Sequence, residues 1–100
     1  MSKTFDILKK TVIVQNQTGL HARPAAAFVQ TAAKFDSEII LKKDKQEVNG
    51  KSIMGILTLA VAYGQQVTIC ARGIDAKAAI IELEKVLIEQ EKPAAIKEKK

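Results

Sequence analysis

Ser37-Glu38-Ile39-Ile40-Leu41-Lys42-Lys43-Asp44-Lys45-Gln46-Glu47-Val48-Asn49 is the stretch that decides the fold class. Ser37 to Lys42 centres on the aliphatic run Ile39-Ile40-Leu41 and reads as a strand. Gln46-Glu47-Val48-Asn49 reads as a second, shorter strand, and only the charged turn Lys43-Asp44-Lys45 separates the two. Strands that follow each other this closely point to antiparallel pairing, because a parallel pair needs a long crossover. A regularly alternating βαβ architecture is therefore not expected.

Upstream, Thr11-Val12-Ile13-Val14-Gln15 is another strand, broken by Asn16-Gln17-Thr18-Gly19. From Ala22 the pattern becomes helical, with Ala25, Phe28, Val29, Ala32 and Phe35 on one face and Pro24 in the first turn. Downstream, Asn49-Gly50 is a turn and Ser52 is an N-cap for a short helix from Ile53 to Leu59. Tyr63-Gly64 closes that region, and Gln66 to Ala71 is a fourth strand. Asp75 is the expected N-cap of the last helix, whose apolar face is Ala76, Ala79, Ile80, Leu83, Val86 and Leu87. Lys77, Glu82, Glu84, Lys85 and Glu89 are left for water, and Pro93 lies beyond the helix end. The order βαββαβα predicts an α+β open-faced β-sandwich: a four-stranded, largely antiparallel sheet with three helices on one face.

The chain has 100 residues and 47% hydrophobic side chains, enough for one domain, here bounded at 1–91. Residues 92–100 form a lysine-rich tail, expected to be flexible. The net charge is +5, but the tail holds four lysines against Glu98, a net of +3, which leaves +2 on residues 1–91. That body has no basic stripe with interleaved aromatics, so nucleic acid is not an expected partner. Cys70 sits in the apolar run Val67-Thr68-Ile69-Cys70-Ala71 and is expected to be a buried, inert thiol. One histidine and one cysteine make a poor metal site, so no metal and no cofactor is expected. No secretory signal is visible in Met1 to Lys10, and no apolar stretch approaches the roughly 20 residues of a membrane span. No membrane insertion and a cytoplasmic location are expected.

His21, the only histidine, stands in Gly19-Leu20-His21-Ala22-Arg23-Pro24, where a loop meets a helix. Free N–H groups at a helix start collect an anion, and the same positive end disfavours imidazolium, which leaves a nucleophilic ring nitrogen. The guanidinium of Arg23, two positions on, can reach phosphoryl oxygens. A nucleophile, an anion cradle and a charge clamp so close together suit phosphoryl transfer. The plain alternative is a surface histidine that merely caps a helix. No second acid or base lies beside His21 and no nucleotide phosphate loop is apparent, so a self-sufficient enzyme is not expected and the phosphoryl group would come from a partner.

Ser52, in Asn49-Gly50-Lys51-Ser52-Ile53-Met54-Gly55, is the second candidate. It is either an ordinary N-cap or a phosphorylation site, where a phosphate would meet helix N–H groups and add up to about two negative charges. Ile53, Met54 and Leu57 either all face the core or, with Met54 and a neighbour exposed, offer an adaptable docking patch.

Gly19-Leu20-His21-Ala22-Arg23-Pro24-Ala25 resembles the active-site motif of the HPr family, the histidine-containing phosphocarriers of the bacterial sugar phosphotransferase system. The Asn49–Gly55 stretch resembles the family's second motif at the family's spacing, and the likeness runs from about Thr11 to Glu91. This resemblance implies phosphorylation of His21 on Nδ1 by enzyme I, fed by phosphoenolpyruvate, and donation to the IIA domains of sugar permeases, with Arg23 as charge partner. It implies phosphorylation of Ser52 by an ATP-dependent HPr kinase/phosphorylase, after which the protein favours regulation, including binding to a catabolite-control repressor. Ile53, Met54 and Leu57 match the family's apolar docking surface, and a monomer is expected. The alternative is a purely regulatory HPr-like protein acting through phosphoserine; such relatives often lack the histidine, whose presence favours the carrier. Ala60 departs from the family, standing where many relatives have glycine after the second helix, and both ends of the chain are longer than usual.

Overall fold

The computed structural model describes residues 6–89. The predicted tail at 92–100, and the 91/92 boundary, lie outside the described residues. The elements run β1 (Leu8–Ile13), α1 (Ala22–Ala32), β2 (Glu38–Lys43), β3 (Gln46–Asn49), α2 (Ile53–Thr58), β4 (Gln66–Arg72) and α3 (Ala76–Ile88). β2 and β3 form the expected antiparallel hairpin, with Leu41 opposite Val48 and Lys43 opposite Gln46. The pairing of Lys43 shortens the turn to Asp44 and Lys45, and Asp44 takes a left-handed φ of 55°, which its short polar side chain tolerates.

The sheet order is β1-β4-β2-β3, and every pair is antiparallel. β4, late in the chain, is thus inserted between the two earliest strands. Alternation along β4 sends Val67, Ile69 and Ala71 into the core and Cys70 to the face away from the helices, where it lies between Lys9 and Ile40 in register. The Cys70 thiol is buried there by its neighbours. α3 lies over β1 and β4, α1 packs on α3, and α2 packs on α1 and β3. Phe28, fully buried on α1, is the largest core side chain.

β1 differs from its sequence reading. It spans Leu8–Ile13 rather than Thr11 to Gln15, because its partner is β4 and the register runs from Leu8 opposite Ala71 to Ile13 opposite Gln66. The lysines at 9 and 10 belong to an exposed edge strand, where charge discourages pairing with other chains. Asp75 also differs. It occupies the N-cap position just ahead of α3, as expected, but its side chain makes no capping bond. Its carboxylate instead accepts from the N–H groups of Asp36 (2.9 Å) and Ser37 (3.0 Å) and from the Ser37 hydroxyl, pinning the α1–β2 connection. Those donors, the Ser37 hydroxyl foremost and then the Asp36 N–H, hold the Asp75 carboxyl below its ordinary value of 3.8.

The departure at Ala60 has a structural counterpart. Past the α2 C-cap at Leu59, Ala60 adopts a φ of 51°, the left-handed conformation that usually ends a helix on glycine. The ammonium of Lys43 donates to the carbonyls of Leu59 (2.9 Å) and Ala60 (3.2 Å), satisfying groups that the helix end leaves open.

Replacing Ala60 with glycine removes the Cβ strain at a positive φ and should stabilise the domain by about 0.5–1 kcal/mol; denaturant unfolding of Ala60→Gly should show a raised midpoint, and a lowered one would refute the strain. A carboxyl lowered in the folded state lends stability that is complete above its unfolded value and drains away as pH falls through the folded one. The wild-type protein should therefore lose melting temperature as pH drops below 3.8, and Asp75→Asn, with no charge to lose, should show a shallower acid limb. Parallel acid limbs would show that Asp75 plays no such part.

Candidate functional site

His21 occupies the N-cap of α1 with an extended backbone (φ −114°, ψ −154°), and its side chain makes no capping bond. Its carbonyl accepts from the Ala25 N–H at 2.8 Å, so the backbone alone starts the helix and the ring is released to solvent. Nε2 of the ring is hydrogen-bonded to the hydroxyl of Thr18. Ala22 and Arg23 hold the first two helical positions, where backbone N–H groups have no intrahelical acceptor. Pro24 follows, buried, with no N–H to leave unsatisfied. Arg23 is exposed and, among the described residues, forms no ion pair. An exposed imidazole, helix N–H groups without an intrahelical acceptor and a guanidinium thus stand within three positions, an arrangement chemically able to receive an anion on the ring.

The loop that delivers the histidine is held from below. The Leu20 N–H donates to the carbonyl of Val61 at 2.9 Å, and the Leu20 side chain is buried. Gly19 beside it has a φ of 77°. A Cβ there would run into the Val61 carbonyl oxygen and lie 3.0 Å from the Ala62 Cα, so only glycine lets the two loops approach.

Ser52 is the N-cap of α2, and its hydroxyl accepts from the Gly55 N–H at 3.1 Å. Ile53, Met54 and Leu57 are exposed to 39%, 68% and 37%, whereas Ile56 supplies the core contact of the helix. The reading in which all three of the former face the core is thereby excluded. α1 and α2, which carry His21 and Ser52 at their starts, pack against each other.

Two residues at the site escaped the sequence reading. Thr18 and Asn16 were legible only as breakers of a strand. The Thr18 contact depends on the backbone path between residues 18 and 21. The Asn16 amide reaches the carbonyls of Val86 (3.2 Å) and Glu89 (3.0 Å), at the far end of the chain, and no local pattern announces that.

Comparison with known proteins identifies relatives of the domain. The family model described as PTS HPr component phosphorylation site matches residues 8–89. The HPr-like protein Crh of Bacillus subtilis is 48% identical over 77 residues, covering 77% of this chain and 91% of the relative. The phosphocarrier protein HPr of Treponema pallidum is 46% identical over 77 residues, covering 77% and 88%. Among solved structures, HPr of Bacillus anthracis superposes with a TM-score of 0.79 at 44% identity, covering 81% of this chain and 96% of that one. A Bacillus subtilis Crh structure, described as a domain-swapped dimer, gives 0.68 at 44% identity, covering 86% and 99%.

Removing the Ser52 hydroxyl takes away the acceptor for the Gly55 N–H. Ser52→Ala should cost about 0.5–2 kcal/mol in unfolding free energy, whereas Ser52→Asp, which keeps an acceptor at the cap, should stay near the wild type. Equal losses in the two variants would contradict a capping role.

Proposed function

We propose a function from one premise: this chain belongs to the HPr family of the sugar phosphotransferase system, a family of phosphocarrier proteins. On our reading, His21 accepts a phosphoryl group from enzyme I, charged by phosphoenolpyruvate, and passes it to IIA domains of sugar permeases. The observation that carries this reading is the exposed His21 ring at an open helix start, with Nε2 engaged by Thr18. When Nε2 holds the ring proton and donates it to the Thr18 hydroxyl, Nδ1 keeps its lone pair. Nδ1 then attacks the phosphorus in line, and an N–P bond forms as the bond to the donor breaks. The phosphoryl oxygens gain the N–H groups of Ala22 and Arg23 and the Arg23 guanidinium as partners. The same steps in reverse deliver the group to the next acceptor.

Ser52 is the regulatory site in this proposal, phosphorylated by the HPr kinase/phosphorylase, and Ile53, Met54 and Leu57 are the docking surface for partner proteins, including a catabolite-control repressor. The exposure of all three supports that role. We place the protein in the cytoplasm as a monomer; the dimeric Crh structure makes sedimentation of the purified protein the check on the latter.

A second reading has its own support in the likeness to Crh: a purely regulatory protein working through phosphoserine. One experiment separates the two. Incubation with enzyme I and labelled phosphoenolpyruvate should give an acid-labile adduct on the wild type and none on His21→Ala. Undiminished labelling of His21→Ala would defeat the assignment of the histidine. Absence of label on the wild type, with labelling of Ser52 by the kinase and ATP, would select the regulatory reading.

A further inference from the structure

We propose that Asn16 is a positioning residue for the chemistry at His21, tying the loop that bears the histidine to the carboxyl-terminal end of α3. The proposal rests on the phosphocarrier reading above. Asn16 is only 3% exposed, although it belongs to a polar connection that sequence alone would leave in water. Both hydrogen bonds of its amide nitrogen go to carbonyls at the end of α3, of Val86 at 3.2 Å and Glu89 at 3.0 Å. The preceding residue adds a third link, since the Gln15 N–H donates to the Leu87 carbonyl at 2.8 Å. These are carbonyls of the last turn, which the helix itself cannot satisfy. The residue is held for its donors: its Oδ1 is buried without a hydrogen-bond partner among the described residues.

From this anchor the chain is directed to the ring. The Asn16 carbonyl accepts the Gly19 N–H at 2.9 Å and closes a turn. Thr18 lies inside that turn and holds Nε2 of His21. Asn16 touches neither the ring nor an incoming phosphoryl group, so it acts through the turn. With the anchor removed, Thr18 is free to wander, and the ring loses both its orientation and the partner that favours a proton on Nε2. Transfer demands in-line alignment of Nδ1 with the donor, and small misplacements are costly in rate. The expected signature is a fall in kcat with KM for enzyme I little changed, since the docking surface around Met54 is on another helix.

The test compares the wild type with Asn16→Ala and with Ala79→Gly, a control that weakens α3 at a buried site away from the loop. Each full-length protein is the acceptor in steady-state phosphorylation by enzyme I, and His21 is also labelled chemically with phosphoramidate, which needs no docking. Nitrogen-15 spectra of the histidine ring report its tautomer. Asn16→Ala should lower kcat roughly tenfold to a hundredfold, slow the phosphoramidate reaction, and shift the ring away from a single tautomer. Ala79→Gly should keep the wild-type kcat and tautomer. Equal behaviour of the two variants, or a change confined to KM, would overturn the proposal. Should Asn16→Ala fail to fold, it is repeated with Ala60→Gly, and a chain unfolded in both backgrounds makes Asn16 structural only and overturns it too. Failure of the wild type to take label from either donor would instead defeat the phosphocarrier reading itself.

Discussion

Every α-helix leaves N–H groups at its start and carbonyls at its end without partners of its own, and this protein is organised by how those ends are met. The end of α3 is met by Asn16 and Gln15, and the end of α2 by the Lys43 ammonium together with the left-handed turn at Ala60. The start of α2 is met by the Ser52 hydroxyl. The start of α1 is left without a side-chain cap, and that is where the histidine stands. The start of α3 also lacks a side-chain cap, because the Asp75 carboxylate is spent on Asp36 and Ser37, but only at α1 does an uncapped start coincide with an exposed imidazole, and a helix start is where a negative group gains most.

The two candidate sites use the same physics in opposite ways. Ser52 spends its hydroxyl on the helix, so a phosphate added there would act on a surface already folded and would place charge beside exposed Ile53, Met54 and Leu57. His21 spends only its carbonyl on the helix and keeps the ring for chemistry. Because α1 and α2 pack together, a partner docked on the apolar surface of α2 is in contact with the helix layer that also presents the histidine. Phosphate on the serine would therefore alter the surface that carrier partners meet without unfolding either helix.

Much of this was readable along the chain. The aliphatic period of α1 and α3, the close succession of β2 and β3, and the N-cap at Ser52 are local signals, and each element formed where its pattern lay. Other local readings failed because a distant partner outbid the local one. Asp75 stands where a cap residue belongs, yet its carboxylate meets three donors around Ser37, a better set than one helix N–H. β1 begins at Leu8, through two lysines, because β4 offers it a ladder there.

The sequence by itself determined the α+β class, the core faces of the helices, and the motifs of His21 with Arg23 and of Ser52, since each depends on residues a few positions apart. Tertiary structure alone decided the strand order that seats β4 between β1 and β2, the exposure of Ile53, Met54 and Leu57, and the anchoring of the histidine loop by Asn16. The physical reason is range. Periodicity and capping act over one or two turns of chain, whereas a buried amide finds its acceptors wherever folding brings unsatisfied carbonyls, and for Asn16 those lie at the opposite end of the domain.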